Sequence, residues 1–142
     1  MSVYNPTIGG GVIEFLVSQT SQWGAGNYAG VGVEAPSASP GDLLAWPAPA
    51  PGTVSDLAVQ GNAYNVTGGA LQVTLYKAPA SLTPVFAATL LSATVLSNTA
   101  TGYDPNAGHS FHVNAGDLVL AKLSGSGVWF SGQVVTALWT PD

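Results

Sequence analysis

The chain has 142 residues, of which 46% are hydrophobic and only 6% are charged, and its formal net charge at pH 7 is −5. This length fits one domain with a core of its own. Because nucleic acids and anionic lipids are bound by clustered positive charge, a chain with two lysines and no arginine argues against both as direct partners. The absence of cysteine excludes disulfides, thiolate metal sites and a cysteine nucleophile.

Residues 1–11 are predicted to form an N-terminal arm. Val3, Tyr4 and Ile8 are large apolar residues separated by polar residues and a proline, and the glycines at 9–11 allow the arm to leave the body at almost any angle. A frayed terminus is the alternative. Because a disordered tail is expected to carry fewer large apolar side chains, we expect these three residues to contact a neighbouring trimer or another protein.

The remaining residues, 12–142, are predicted to form one all-β domain. Short β-prone runs are separated by Gly, Pro, Asn and Asp, and no segment has a sustained helical period. The proline-rich segment 35–52 is expected to be a long ordered loop. This pattern predicts an antiparallel sandwich or barrel. The predicted strands cover residues 12–17, 29–33, 53–59, 70–76, 84–91, 93–96, 111–113, 118–123 and 128–139.

The strand at 70–76 has the alternation of a sheet with one wet face. Leu71, Val73 and Leu75 alternate with polar residues or tyrosine, so these three are predicted to face the core. The strand at 118–123 alternates much less. It follows Asn114–Asp117, whose turn residues predict a β-hairpin with Asp117 capping the turn.

The predicted strands 118–123 and 128–139 are apolar on both faces. One face of each packs on the core, so the other must be covered by further apolar surface. The simplest cover is another copy of the chain. Among all-β folds this favours a jelly-roll β-sandwich that assembles as a homotrimer, with the late strands around a common axis. The predicted trimer contacts are Leu118, Leu120, Val135, Ala137 and Trp139.

No catalytic, cofactor or metal site is predicted. His109 and His112 are three residues apart, which places them on opposite faces of a strand. Asp104 begins a turn with too few oxygen ligands for calcium. There is also no G-x-S-x-G nucleophile motif. We therefore expect a protein that is not an enzyme.

Several aromatic residues lie in or beside predicted loops. Exposed aromatic side chains stack on sugars or anchor protein interfaces, whereas buried ones seal the ends of a sandwich. Burial is favoured, because it stabilises the fold by about 1.5–3 kcal/mol per Phe-sized side chain. These residues are Trp23, Tyr28, Trp46, Tyr64, Tyr103 and Trp129.

The order of three segments resembles the trimeric jelly-roll heads related to tumour-necrosis-factor and complement folds. The segments are PGTVSDLAVQ (51–60), LQVTLYKAPA (71–80) and FHVNAGDLVLAKLSGSG (111–127), followed by a closing strand. Such heads occur on collagen-like spore-surface proteins, on bacteriophage fibres and as capsid decoration proteins.

The resemblance implies a virion structural protein that is made in the host cytoplasm and binds the capsid surface. Fibre and spore heads follow a repetitive stalk, whereas only a short arm precedes this module. A decoration, or cement, trimer is therefore the expected function, with the major capsid protein and neighbouring trimers as partners. The alternative is a receptor- or carbohydrate-binding head that uses the loop aromatics. No signal peptide is visible, and no apolar run reaches the ~20 residues of a bilayer span.

Overall fold

A computed structural model describes residues 9–18, 21–32, 35–61, 70–95, 101–129 and 132–142. Within these ranges the chain forms twelve β-strands and one turn of 3-10 helix at Pro40–Asp42. The strands are β1 (Gly11–Val17), β2 (Trp23–Gly24), β3 (Tyr28–Ala29), β4 (Trp46–Pro47), β5 (Gly52–Gly61), β6 (Leu71–Ala78), β7 (Ala87–Val95), β8 (Thr101–Tyr103), β9 (Phe111–Val113), β10 (Leu118–Gly125), β11 (Val128–Trp129) and β12 (Gln133–Pro141).

The first sheet has the strand order β1-β12-β5-β8. β9 belongs to the same sheet, because β8 and β9 pair with different halves of one edge of β5. All of its pairings are antiparallel. β1 and β12 pair along their length, from Gly11 opposite Trp139 to Val17 opposite Gln133. The first and last strands of the chain are thus neighbours.

The second sheet has the strand order β3-β10-β6-β7 and is also antiparallel. The short strand β4 pairs with the start of β10, on the same edge as β3. β2 and β11 form a separate two-stranded ribbon. The prediction of an all-β antiparallel fold is confirmed, and the arrangement is consistent with a β-sandwich.

A single hydrophobic core is formed by side chains from both sheets. Leu71, Val73 and Leu75 are completely buried, as their alternation predicts. A bulge in β5 places Asp56 at a φ of 55°, and the bulge keeps Leu57 in the core. The largest fully buried side chains include Trp23, Trp129 and Phe15.

The predicted hairpin at Asn114–Asp117 is wrong, because β9 and β10 belong to different sheets. The turn itself is present: the Asp117 carboxylate accepts a 2.8 Å hydrogen bond from the Asn114 N–H, and Gly116 has a φ of 84°. The Gly116 N–H donates a hydrogen bond to the Ala48 carbonyl, and the Asp117 carbonyl accepts one from the Ala48 N–H. The same turn chemistry therefore carries the chain from one sheet to the other.

Other strand boundaries also differ from the sequence prediction. Residues 84–91 and 93–96 were predicted as two strands, but the structure has one strand, β7, which starts after Pro84–Phe86. β8 lies in a segment predicted as a loop. The run at 29–33 provides only the end of the two-residue strand β3. Short edge strands depend on the partner they meet, which is distant in sequence.

Candidate interaction surfaces

Four of the five predicted trimer contacts are buried inside the single subunit. Leu120 and Val135 are completely buried, and Ala137 and Trp139 are 2% and 4% exposed. Side chains in this position have no surface to offer a second copy, so the predicted contact set needs correction. Leu118 alone is partly exposed.

The second face of β10 is covered within the subunit. Tyr76 lies opposite Leu120 in the pairing register, and the Lys122 ammonium lies 5.1 Å and 5.2 Å from the ring centroids of Tyr28 and Tyr76. Tyr28 also packs edge-on against Tyr76, with ring centroids 5.4 Å apart. These aromatic rings remove the need for a neighbouring copy at this position.

On β12, the predicted trimer contacts lie on the face that forms the core. Val135, Ala137 and Trp139 point into the sandwich, and the alternate residues Val134 and Leu138 point outward. Both faces are apolar, so the pattern alone does not identify the inner one. The outward face is the one available to a partner.

Several outward side chains of the first sheet are apolar, and we call this outer side the first-sheet face. In the pairing register Val12 lies beside Leu138, and Leu16 beside Val134. Tyr103 lies on the same side, in the row that contains Ala58 and Thr136. Val12, Tyr103 and Leu138 are 64%, 67% and 39% exposed.

Charge is scarce on the first-sheet face. The charged side chains there are Glu14, opposite Thr136, and the exposed Asp56 in the β5 bulge. A cavity of about 350 Å³ lies on the same face between Tyr103, Val134 and Gln60. Exposed apolar surface of this kind on a soluble protein is typical of an interaction site.

The predicted arm contacts Val3, Tyr4 and Ile8 lie outside the described residues. The structure does place the point where the arm joins the body. A Cβ built on Gly10 would lie 2.6 Å from the Trp139 carbonyl oxygen. The arm therefore begins against the last residues of β12.

Most of the loop aromatics seal the sandwich. Trp23 and Trp129 are completely buried, and the Trp23 indole donates a 2.8 Å hydrogen bond to the Asn27 carbonyl. Tyr28 is 9% exposed. Trp46 is half-buried, with its ring centroid 6.1 Å from that of Trp139. Tyr103 is exposed, and Tyr64 lies outside the described residues.

His109 is held by the turn that Asp104 organises. Its Nδ1 lies 2.9 Å from the Asp104 carboxylate, and its Nε2 lies 3.0 Å from the Asn106 amide nitrogen. Both ring nitrogens are engaged in local contacts of the turn.

The Asp104 carboxylate is almost inaccessible, with 2% of its side-chain surface exposed. Burial raises the pKa of this carboxyl, but hydrogen bonds from the Ser92 and Asn106 N–H groups and the contact with His109 outweigh burial, so the pKa lies below its usual value. The sequence predicted this turn, but not the hydrogen bond that joins Asp104 to Ser92 in β7.

His112 lies on the surface beside the last residue. Its Nε2 is 2.8 Å from the Asp142 carboxylate, and its carbonyl oxygen accepts a 2.9 Å hydrogen bond from the Lys77 ammonium. His112 and Asp142 are both about half exposed. Within the described ranges, no three His, Cys, Asp or Glu residues are grouped closely enough to hold a metal ion.

No protein-family model matches this chain, and no curated protein matches it significantly. In the part of the chain that the structure describes, no helix has the length and apolar character of a membrane span.

Proposed function

We propose that the protein is a virion structural protein, a homotrimeric jelly-roll module that decorates a phage capsid and cements neighbouring capsid subunits. Two antiparallel sheets with the strand orders β1-β12-β5-β8 and β3-β10-β6-β7 support a jelly roll, because the chain crosses between the sheets repeatedly, from β4 to β5, β5 to β6, β7 to β8 and β9 to β10. The resemblance to trimeric jelly-roll heads supplies the oligomeric state and the capsid as partner.

The first-sheet face is the observation that carries the trimer proposal. Its residues Val12, Leu138 and Tyr103 are exposed, because they point away from the core that lies on the other side of the sheet. Three copies arranged around an axis with this face inward bury these side chains. The revised contact set is thus Val12, Leu16, Tyr103, Val134 and Leu138.

The proposed action on the capsid is mechanical. A trimer that binds across adjacent capsid subunits adds buried area between them. Because it binds the assembled shell in preference to free subunits, it shifts the equilibrium towards the shell by mass action. The arm residues Val3, Tyr4 and Ile8 are proposed to contact a neighbouring trimer or a capsid subunit.

Capsids of the phage that encodes the chain, prepared without this protein, provide the direct test. Added wild-type protein is expected to co-sediment with these shells and to raise the temperature at which they break. A variant that lacks residues 2–10 is expected to remain trimeric and to bind the shells more weakly. A monodisperse monomer by light scattering refutes the trimer, and equal binding of the deletion variant removes the arm from the mechanism.

A carbohydrate-binding head is the second candidate, and one observation supports it. Tyr103 is 67% exposed and lines the cavity on the first-sheet face, where an aromatic ring can stack on a sugar. A glycan array tests this function. Selective sugar binding that disappears in the Tyr103→Ala variant supports it, and a protein that binds no glycan refutes it.

A further inference from the structure

An apolar groove crosses the outer side of the second sheet, opposite to the first-sheet face. It has a volume of about 710 Å³ and lies between two loop segments, one before β4 and one before β7, with the start of β10 as its floor. The lining residues are Pro40, Gly41, Leu43, Leu44, Ala45, Pro47, Leu82, Thr83, Pro84, Val85, Phe86 and Leu118.

The groove presents apolar side chains to solvent. Leu44 is 65% exposed, Val85 is 79% exposed and Leu82 is completely exposed. Each lining residue belongs to the described part of the chain, and none of them carries a charged side chain. Apolar, uncharged segments are therefore the partners that fit the groove.

The described part of the chain begins near this groove. Gly10 lies against Trp139 and Pro141 at the end of β12. The Trp139 ring contacts Trp46, and the next residue, Pro47, lines the groove. The starting point of the N-terminal segment and the groove are thus at the same end of the sandwich.

Gly10 and the groove are also on the same side of the sandwich. β1 is an edge strand of the first sheet, and its Leu16 N–H donates a 3.2 Å hydrogen bond to Gly30, just after β3. β3 and β4 share one edge of the second sheet. The Val31 N–H donates a 2.8 Å hydrogen bond to the carbonyl of Leu44. β1 therefore runs along the edge on which the groove opens.

The length of the segment is sufficient. Packed sheets are about 10 Å apart, and the five or six residues that separate Tyr4 and Val3 from Gly9 span up to roughly 17–20 Å when extended. This length is enough to cross from the first sheet to the outer side of the second sheet. A short tether also gives the segment an effective concentration on the order of millimolar at its own groove.

We propose that residues 1–8 bind in the apolar groove of their own subunit, with Val3 and Tyr4 against Leu44, Leu82 and Val85. The segment MSVYNPTI has no charged side chain, in keeping with the lining. Because the groove and the first-sheet face are on opposite sheets, this docking is compatible with a trimer. It is a property of the free protein and does not depend on a capsid.

Photo-crosslinking in the full-length protein tests the proposal. Tyr4 is replaced with p-benzoylphenylalanine, equal amounts of 15N-labelled and unlabelled protein are mixed and irradiated, and the linked peptides are identified by mass spectrometry. We expect cross-links to residues 40–47 or 82–86 within the same chain. Cross-links to other parts of the body, or mainly between differently labelled chains, overturn the proposal.

Two leucine variants provide a matched comparison. Leu82→Asp places a carboxylate in the groove and is expected to reduce the cross-link yield at least about tenfold, because an apolar partner cannot solvate the charge. Leu90→Asp adds the same charge at a residue that is 66% exposed and does not line the groove, and we expect no change. Equal yields in the two variants refute the proposal. Light scattering on the same samples reports the trimer separately, so failure of one proposal is distinguishable from failure of the other.

Discussion

The Val12→Asp substitution tests the proposed use of the first-sheet face. Val12 is 64% exposed and lies beside Leu138, so the change leaves the core of the subunit untouched. In a trimer that buries this face, the substitution removes an apolar contact and places a carboxylate in the interface. We expect a folded protein that no longer associates.

The magnitude follows from the exposed fraction. Complete burial of a Val-sized side chain stabilises by about 1.5–3 kcal/mol, so covering the exposed part of Val12 contributes about 1–2 kcal/mol per copy. Three copies give about 3–6 kcal/mol per trimer. This corresponds to a trimer association constant lower by about two to four orders of magnitude, and desolvation of the carboxylate adds to the loss.

Light scattering coupled to size-exclusion chromatography over a dilution series measures the effect. Wild type is expected to elute as a trimer, and Val12→Asp as a monomer with unchanged circular dichroism. Val12→Thr keeps the β-branched shape in the edge strand and is expected to weaken the trimer less. Leu90→Asp, on the other sheet, controls for added negative charge. If Val12→Asp associates as well as wild type, the first-sheet face is not the interface.

Three further predictions concern the stability of the subunit. Phe15→Ala is expected to lower the free energy of unfolding by about 3–5 kcal/mol in a urea titration, because the ring is completely buried; a loss below 1 kcal/mol would contradict the described core. Gly52→Ala is expected to destabilise by about 1–3 kcal/mol, because its Cβ would lie 2.5 Å from the Thr140 carbonyl oxygen. Gly11→Ala is the control, because its Cβ would meet nothing within 4 Å. Equal melting temperatures for the two variants would argue against the close approach of Gly52 to Thr140. Because the pKa of Asp104 is lowered by folding, its stabilising effect is present above its usual pKa of about 4 and is lost as the pH falls through the lower folded value. The difference in unfolding free energy between wild type and Asp104→Asn is therefore expected to shrink below about pH 4, and a difference independent of pH would show that the carboxylate charge is not involved.

The all-β class could be predicted from the sequence, because β6 has a clean alternating pattern. Leu71, Val73 and Leu75 alternate with more polar residues, and this alternation identifies a core face without knowledge of the partner strands. The Gly- and Pro-rich separators then limit the length of the strands. These are local properties, and local properties can be read from one segment.

The side chains that cover the outer face of β10 could not be predicted in the same way. Leu120 is buried on the outer face because Tyr76 lies beside it in the neighbouring strand and Tyr28 packs against Tyr76. Tyr28 comes from a strand more than 80 residues earlier in the chain. An apolar face on an isolated strand does not reveal whether its cover is the same chain or another copy.

The turn at Asn114–Asp117 shows a similar limit. Asp117 caps the turn as predicted, but turn chemistry is the same in a hairpin and in a connection between two sheets. The choice depends on the backbone of Ala48, which bonds to Gly116 and Asp117 from outside the turn. Nothing in the turn residues themselves encodes that partner.

The position of β12 has a consequence for synthesis on the ribosome. β12 is last in the sequence but lies between β1 and β5, so the first sheet remains split until translation has delivered residue 141. Until then, Ile13 and Phe15 in β1 have no paired strand, and Val59 in β5 is paired on its β8 side alone. Nascent chains must therefore emerge as far as residue 141 before this sheet is complete, and a chain cut at residue 132 would leave β1 unjoined to β5.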